Sequence, residues 1–129
     1  MTTPRLIIRP LAHSDLAAYH KIRTSPAVMK FSQLPRPDVD IAFTKTQLDP
    51  SLPPQNRAID TLTYVLGVEE RLNPGVLIGD MGCHDANPGT EEVGYMFLDE
   101  FWGKGYATEA LKASLDHYWS LPRREYLGP

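Results

Sequence analysis

Two periods of apolar residues divide this chain. Residues 5–9, RLIIR, make a short apolar run closed by Pro10 and predict a first strand. Behind Ser14 and Asp15, which suit the capped and negatively charged start of a helix, Leu16, Tyr19 and Ile22 recur at helical spacing until Pro26 limits the element. Ile41 and Leu48 lie two turns apart, and with Asp38 as the cap they predict a second helix over residues 39–48. The proline-rich stretch through Pro50, Pro53 and Pro54 reads as a surface excursion, since neither side of it has the length of a separate domain.

From Leu62 the period shortens to two. Leu62, Tyr64, Leu66 and Val68 alternate with Thr63, Val65 and Gly67, and Asn73, Pro74 and Gly75 supply turn residues. A returning strand is predicted over 76–81. A second loop, HDANPG, at 84–89 separates it from a strand over 92–98, apolar on both faces as a central strand requires. These three strands suit an antiparallel meander. The last pattern, Ala107, Leu111, Leu115 and Tyr118, is a helical stripe ended by Pro122, with Glu109 and Lys112 on another face. The order strand, helix, helix, three strands, helix predicts an α+β (mixed α/β) fold without internal repeats.

Composition narrows the class. With 129 residues, 42% of them apolar, the chain fits one domain over residues 1–129. A net charge of -3 argues against a general affinity for nucleic acid or an acidic membrane. Cys83 alone cannot form an internal disulfide, and no apolar run approaches the roughly 18 residues of a membrane span, so the expectation is a soluble cytoplasmic protein. His13, His20, His84 and His117 lack metal-ligand spacing, and no metal site is expected. Cys83 beside His84 reads as a small packed cysteine rather than a nucleophilic pair.

One stretch carries chemistry. In DEFWGKGYATEAL, residues 99–111, two glycines flank a lysine at the mouth of the last helix. The first amide N–H groups of a helix have no acceptor within it, and its dipole leaves partial positive charge there, so a strand entering a glycine turn before a helix suits a phosphate or pyrophosphate. Gly103 and Gly105 let the backbone approach a ligand, Lys104 adds a cation, and Thr108 offers a hydroxyl in the first turn. A P-loop would need a Gly-Lys pair followed by Ser or Thr, and the dinucleotide fingerprint would need a third glycine near Thr108 within a parallel βαβ unit; neither is present. A Gly-x-Gly pair also occurs simply as the end of a strand and the start of a helix, so context must decide.

The segment EEVGYMFLDEFWGKGYATEAL, residues 91–111, is similar to the fourth strand and pyrophosphate loop of the GNAT superfamily of acyl-CoA-dependent N-acetyltransferases, especially its RimJ/RimL-type branch. Residues 5–31 resemble the first strand and helix of that branch, and VLIGDMGCHD, residues 76–85, its third strand, in the same order. At the loop the family has Gln or Arg, two residues, Gly, one residue, then Gly or Ala. Trp102 stands at the Gln/Arg position, a departure, with Gly105 at the glycine and Ala107 at the final small residue. The resemblance implies that backbone amides of Gly103, Lys104, Gly105, Tyr106 and Ala107 hold the pyrophosphate of acetyl-CoA. It further implies that the strand around Met96, Phe97 and Leu98 pairs with the pantetheine arm.

The implied reaction transfers an acetyl group to a primary amine, a protein N-terminus or a small amine. Such amines are protonated at neutral pH, with pKa values near ~8 to ~10.4, and a carboxylate can remove the proton. Glu92, at an acidic position often used this way in the superfamily, is the catalytic candidate; Glu91 faces the other way. Arg123 and Arg124 read as a solvated tail more than as contacts for the cofactor's 3'-phosphate. Family members usually continue with a fifth strand, a helix and a closing hairpin, whereas this chain stops at Pro129. The expectation is therefore a domain incomplete at its C-terminus, with Tyr126 as the remaining tyrosine for the thiolate and a strand edge that invites a homodimer. The alternative function is a non-catalytic acyl-CoA-binding or protein-interaction module on the same fold.

Overall fold

The computed structural model describes residues 1–30, 32, 35–52, 63–87 and 90–120, the backbone only at 63–64, 83–87 and 90–92. In chain order the elements are β1 (Leu6–Pro10), α1 (Leu16–Arg23), α2 (Pro26–Met29), α3 (Ile41–Leu48), β2 (Thr63–Glu70), β3 (Leu77–Asn87), β4 (Thr90–Phe97) and α4 (Tyr106–Ser120). Short 3-10 turns lie at His13–Asp15, Asp49–Ser51 and Asp99–Phe101. The strands form one sheet in the order β1-β2-β3-β4, every neighbouring pair antiparallel. This is the expected α+β class, with helices on both faces of the sheet.

Alternation along the strands assigns the faces. Leu6, Ile8, Leu66, Val68, Met81 and Phe97 pack against Tyr106 and Ala110 of α4. Val65 and Leu77 turn the other way, toward Leu11, Tyr19 and Ile22 beside α1 and Leu48 of α3. Leu6 and Ile8 are fully buried, and each such side chain stabilises the fold by roughly 1.5–3 kcal/mol. Gly79 opposes Phe97 across the β3/β4 pair, and a Cβ there would lie 2.5 Å from the Phe97 ring and 2.6 Å from the Met96 carbonyl oxygen. Only glycine lets the end of β4 lie this close.

Several elements depart from the pattern-based expectation for physical reasons. Asp40, not Asp38, caps α3 by accepting from the Phe43 amide at 2.8 Å. Asp38 is buried instead, accepting from Arg23 Nε and Thr44 Oγ1, each at 2.7 Å. Because the Thr44 hydroxyl has spent its hydrogen on Asp38, His20 Nδ1, 2.7 Å away, must be the donor to Thr44 Oγ1. Pro26 ends α1 but also opens α2, where a missing N–H costs nothing and Ser25 caps Val28. β3 runs through His84 to Asn87, residues read as loop, because the β4 backbone pairs with them: His84 opposes Glu92 and Asp85 opposes Glu91. On α4 the buried line is Tyr106, Ala110 and Ser114, beside the expected stripe of Ala107, Leu111 and Tyr118. The small residues let the helix axis approach the sheet, and Ser114 donates to Met81 Sδ at 3.0 Å.

Charged groups lock the α1 side of the sheet. Arg9 forks onto Asp15, Nη1 to Oδ2 and Nη2 to Oδ1 both at 2.8 Å, and its Nε reaches Glu69 Oε2 at 2.6 Å. Burial alone would raise both carboxyls. For Asp15, hydrogen bonds from Arg9 and the Ala12 amide hold it below the usual range; for Glu69, the Gly75 amide and Arg9 do so. Asp80 behaves oppositely: burial pushes it up to about 6, against the Tyr19 hydroxyl, the Arg23 charge and the Met96 amide.

The signs follow. Depressed carboxyls such as Asp15 and Glu69 lend stability above their unfolded pKa and lose it as pH falls through their folded values. A raised carboxyl is penalised when ionised, so Asp80 subtracts stability as pH climbs from about 4 to about 6. Asp80→Asn is expected to remove that decline and to be more stable than the parent at pH 7.5 by on the order of 1–3 kcal/mol. Thermal unfolding of both proteins across pH 4–8 reads this out. A less stable Asn variant at pH 7.5 would mean that the Asp80 charge is needed to hold Arg23.

Candidate active site

β4 is bonded to β3 on one side, and its ladder dictates which groups face away. The Leu98 amide donates to the Ile78 carbonyl at 2.9 Å. Pairs alternate along an antiparallel ladder, so the Met96 backbone also turns toward β3 while the N–H and C=O groups of Tyr95 and Phe97 turn outward. The outward carbonyl of Phe97 accepts from the Trp102 indole Nε1 at 2.8 Å. Trp102 thus lies back along the strand it follows.

The chain leaves β4 through the Asp99–Phe101 turn, which the Phe101 amide closes on the Leu98 carbonyl at 2.9 Å. Gly103 and Gly105 have φ of +77° and +78°, left-handed conformations that favour glycine. The Glu109 amide bonds the Gly105 carbonyl at 3.0 Å, which makes Gly105 the first capping position of α4. Glycine has no side chain to occupy the N–H groups that open a helix, so they are left for another acceptor.

A cleft of about 450 Å³ runs between the end of β4, this loop and α2. Tyr95, Met96 and Phe97 contribute from β4, Phe101, Trp102, Gly103 and Gly105 from the connection, Tyr106, Ala107 and Thr108 from α4, and Val28 from α2. Among the described residues that line it, none carries a charged side chain. Eight of the residues expected to hold the cofactor therefore meet at one cavity: Met96, Phe97, Trp102, Gly103, Gly105, Tyr106, Ala107 and Thr108. Two stand off it. Leu98 is buried in the core on the α1 side, and exposed Lys104 places Nζ 5.4 Å from the Phe101 ring centre.

Glu92 lies in β4 opposite His84, and its side chain is outside the described residues, as are those of Glu91 and Cys83. Arg123, Arg124 and Tyr126 also lie outside the described residues. Val28 and Phe101 escaped the sequence reading. Phe101 sits in the quoted loop as one more aromatic, and Val28 reaches the cleft through α2, whose signal was Ser25 before Pro26.

Behind the loop lies a polar clasp. Arg5 Nε meets Glu109 Oε1 at 2.7 Å, the Arg5 amide donates to Glu109 Oε2 at 2.9 Å, and Arg5 Nη1 donates to the Lys104 carbonyl at 2.7 Å. Thr3 Oγ1 also donates to Glu109, and the Arg5 guanidinium lies 4.7 Å over the Tyr106 ring. Burial would raise the Glu109 carboxyl, but these donors hold it below the ordinary range. The Tyr106 hydroxyl donates to Glu70 Oε2 at 2.6 Å, and that bond raises its pKa, so it remains a phenol.

Comparison with known proteins agrees with this architecture. An acetyltransferase from Agrobacterium tumefaciens str. C58 superposes with a TM-score of 0.72 at 25% identity, over 93% of this chain and 66% of its own. A GNAT-family acetyltransferase from Bacillus anthracis gives 0.71 at 24%, over 91% and 64%. Spermidine N-acetyltransferase from Vibrio cholerae, solved with CoA and spermine, gives 0.71 at 19%, over 92% and 66%. The chain thus spans just under two thirds of the length of these structures. No curated protein sequence matches it. Among the described residues no helix is long and apolar enough to cross a membrane. The GNAT acetyltransferase domain family matches residues 5–128, nearly the whole sequence, and the chain belongs to that family.

Proposed function

We propose that this chain binds acetyl-CoA in the cleft beside β4 and transfers the acetyl group to a primary amine, as a cytoplasmic N-acetyltransferase of the RimJ/RimL-type branch. The observation that carries the reading is the continuity of one cavity from the outward edge of β4 to the open amides of the glycine loop. An extended pantetheine needs backbone partners along a strand, and a pyrophosphate needs N–H groups at the end of it. The Vibrio cholerae spermidine N-acetyltransferase, which holds CoA and spermine, supports pairing CoA with an amine on this fold.

In this reading the amides of Gly103 to Ala107 hold the pyrophosphate, with the Thr108 hydroxyl in the first helical turn and Lys104 as a nearby cation. The stretch Met96, Phe97 and Leu98 guides the pantetheine arm, through the outward groups of Phe97 and of Tyr95 before it. The amine nitrogen attacks the thioester carbonyl carbon, the C–S bond breaks, and the thiolate leaves. Glu92 takes the amine proton, directly or through water. An outward β4 amide donates to the oxyanion, an arrangement typically contributing about 10²–10³-fold in rate.

Titration calorimetry with acetyl-CoA is expected to give a Kd on the order of micromolar for the parent chain. Gly105→Glu forces a side chain into a φ of +78° with its Cβ 3.4 Å from Arg5 Nη2, which distorts the loop, and is expected to abolish binding. Equal affinity in both proteins would remove the glycine loop from the site.

Glu92→Gln is expected to lower kcat by about 10²–10⁴-fold while acetyl-CoA affinity stays within about 2-fold of the parent. A parent that binds acetyl-CoA and acetylates no amine would instead be a non-catalytic acyl-CoA-binding module.

Exposed Val93 and Tyr95 on β4 also suit a homodimer through that strand. Light scattering at micromolar concentration is expected to give twice the 14.5 kDa chain mass, and a monodisperse monomer would exclude it.

A further inference from the structure

Arg5 lies on β1's approach to the sheet, far from the loop in sequence, yet it holds the loop at its centre. Its Nη1 donates to the Lys104 carbonyl at 2.7 Å while Nε is fixed on Glu109 Oε1 at 2.7 Å. The guanidinium is also seated over Tyr106, the residue after the loop, at 4.7 Å. Two anchors on α4, the Glu109 carboxylate and the Tyr106 ring, thus decide where Nη1 sits. A trans peptide is planar, and its C=O and N–H point in opposite directions. Turning the Lys104 carbonyl toward Arg5 therefore turns the Gly105 N–H away from Arg5, onto the other side of the loop.

Among the described residues no other hydrogen bond fixes that peptide. Gly103 and Gly105 are the loop's two glycines, with the conformational freedom that implies, and a Cβ at Gly103 would meet no atom within 4 Å. A glycine loop free to turn its central peptide would offer a ligand a carbonyl oxygen as readily as an amide. A carbonyl facing a phosphate is repulsive, so the loop's affinity for an anion depends on which way this unit faces.

We infer that Arg5 is a positioning residue for the anion cradle: by holding the Lys104 carbonyl on the far side of the loop it presents the Gly105 N–H to the pyrophosphate of the substrate. The inference rests on the acetyl-CoA reading of the cleft. Arg5 touches neither substrate nor reacting atoms in this role. Lysine cannot replace it fully, since one ammonium reaches the Glu109 carboxylate or the Lys104 carbonyl but does not fork across both.

The test is titration calorimetry with CoA on the parent chain, Arg5→Gln, Arg5→Lys and Arg71→Gln, with thermal unfolding of each. Arg71 is the control, because its Nη1 holds the Thr3 and Pro4 carbonyls at 3.1 and 3.3 Å and so secures the same N-terminal segment without touching the loop. Arg5→Gln is expected to weaken CoA by about 10-fold or more, Arg5→Lys by less, and Arg71→Gln by under about 2-fold. If Arg5→Gln fails to fold, Arg5→Lys against Arg71→Gln carries the same comparison. Affinity lost equally in the Arg5 and Arg71 variants, in step with unfolding temperature, would make Arg5 a structural staple and overturn the inference. A parent that binds CoA and an Arg5→Gln that binds it equally well would overturn it while leaving the acetyl-CoA reading intact. A parent that does not bind CoA would overturn that reading, and this inference with it.

Discussion

Among the described residues β4 has a strand partner on one side only, and the need to satisfy the groups that face away organises the candidate site. Tyr95 and Phe97 direct their backbone groups outward, and the protein satisfies just one of them with a described side chain, the Trp102 indole on the Phe97 carbonyl. The rest of the edge opens into the cleft. Its geometry depends in turn on Gly79, which lets the end of β4 press onto β3, and on the left-handed glycines that swing the chain from strand to helix. A bulkier residue at any of these positions would move the edge and the helix mouth relative to one another.

Three arginines hold the layers on either side of that edge, each through a carboxylate and at least one further group. Arg9 joins β1 to the start of α1 and to β2 through Asp15 and Glu69, and Arg23 joins α1 to the segment before α3 through Asp38. Arg5 does the same for α4 through Glu109. A guanidinium suits this task because its donors are fixed in one plane, so it constrains direction as well as distance. The arrangement ties both helical layers to β1 or to its neighbour, leaving β4 and the loop after it as the margin along which the cleft lies. Asp80 lies inward of that margin, across from Met96, in surroundings that disfavour its charge.

Much of this was legible in the sequence because periodicity and breaker residues report backbone requirements directly. The strand pattern through Leu66 and Val68, the turn at Asn73 to Gly75 and the glycine pair after Trp102 each have one inexpensive structural solution, and each is found as expected, while Leu62 lies outside the described residues. What escaped depended on partners distant along the chain. Asp38 and Asp40 are equivalent as caps in a local reading, and Arg23, fifteen positions away from Asp38, decides between them. Ser114 looks like a polar surface residue until the sheet it approaches is known, and Arg5 looks like a flanking charge until α4 comes back to meet it. Along β3, pairing with β4 extended the strand through polar residues whose side chains gave no apolar signal. Of the candidate site, the loop was readable as a local motif, whereas Val28 reached it through tertiary packing alone.

The described lining of the cleft is made of apolar side chains, aromatic rings, the hydroxyl-bearing Tyr95, Tyr106 and Thr108, and peptide groups, with no charged side chain among them. Recognition of an anion by such a surface is dipolar. A peptide amide does not titrate and has no condensed counter-ion to shed, so binding there is buffered against changes in ionic strength that weaken a lysine or arginine pocket. The pH dependence of affinity would then belong to the ligand's phosphates rather than to the protein. Discrimination would come from the fixed directions of a few N–H groups, which favour an acceptor with several oxygens spread over a volume above a compact sphere of equal charge.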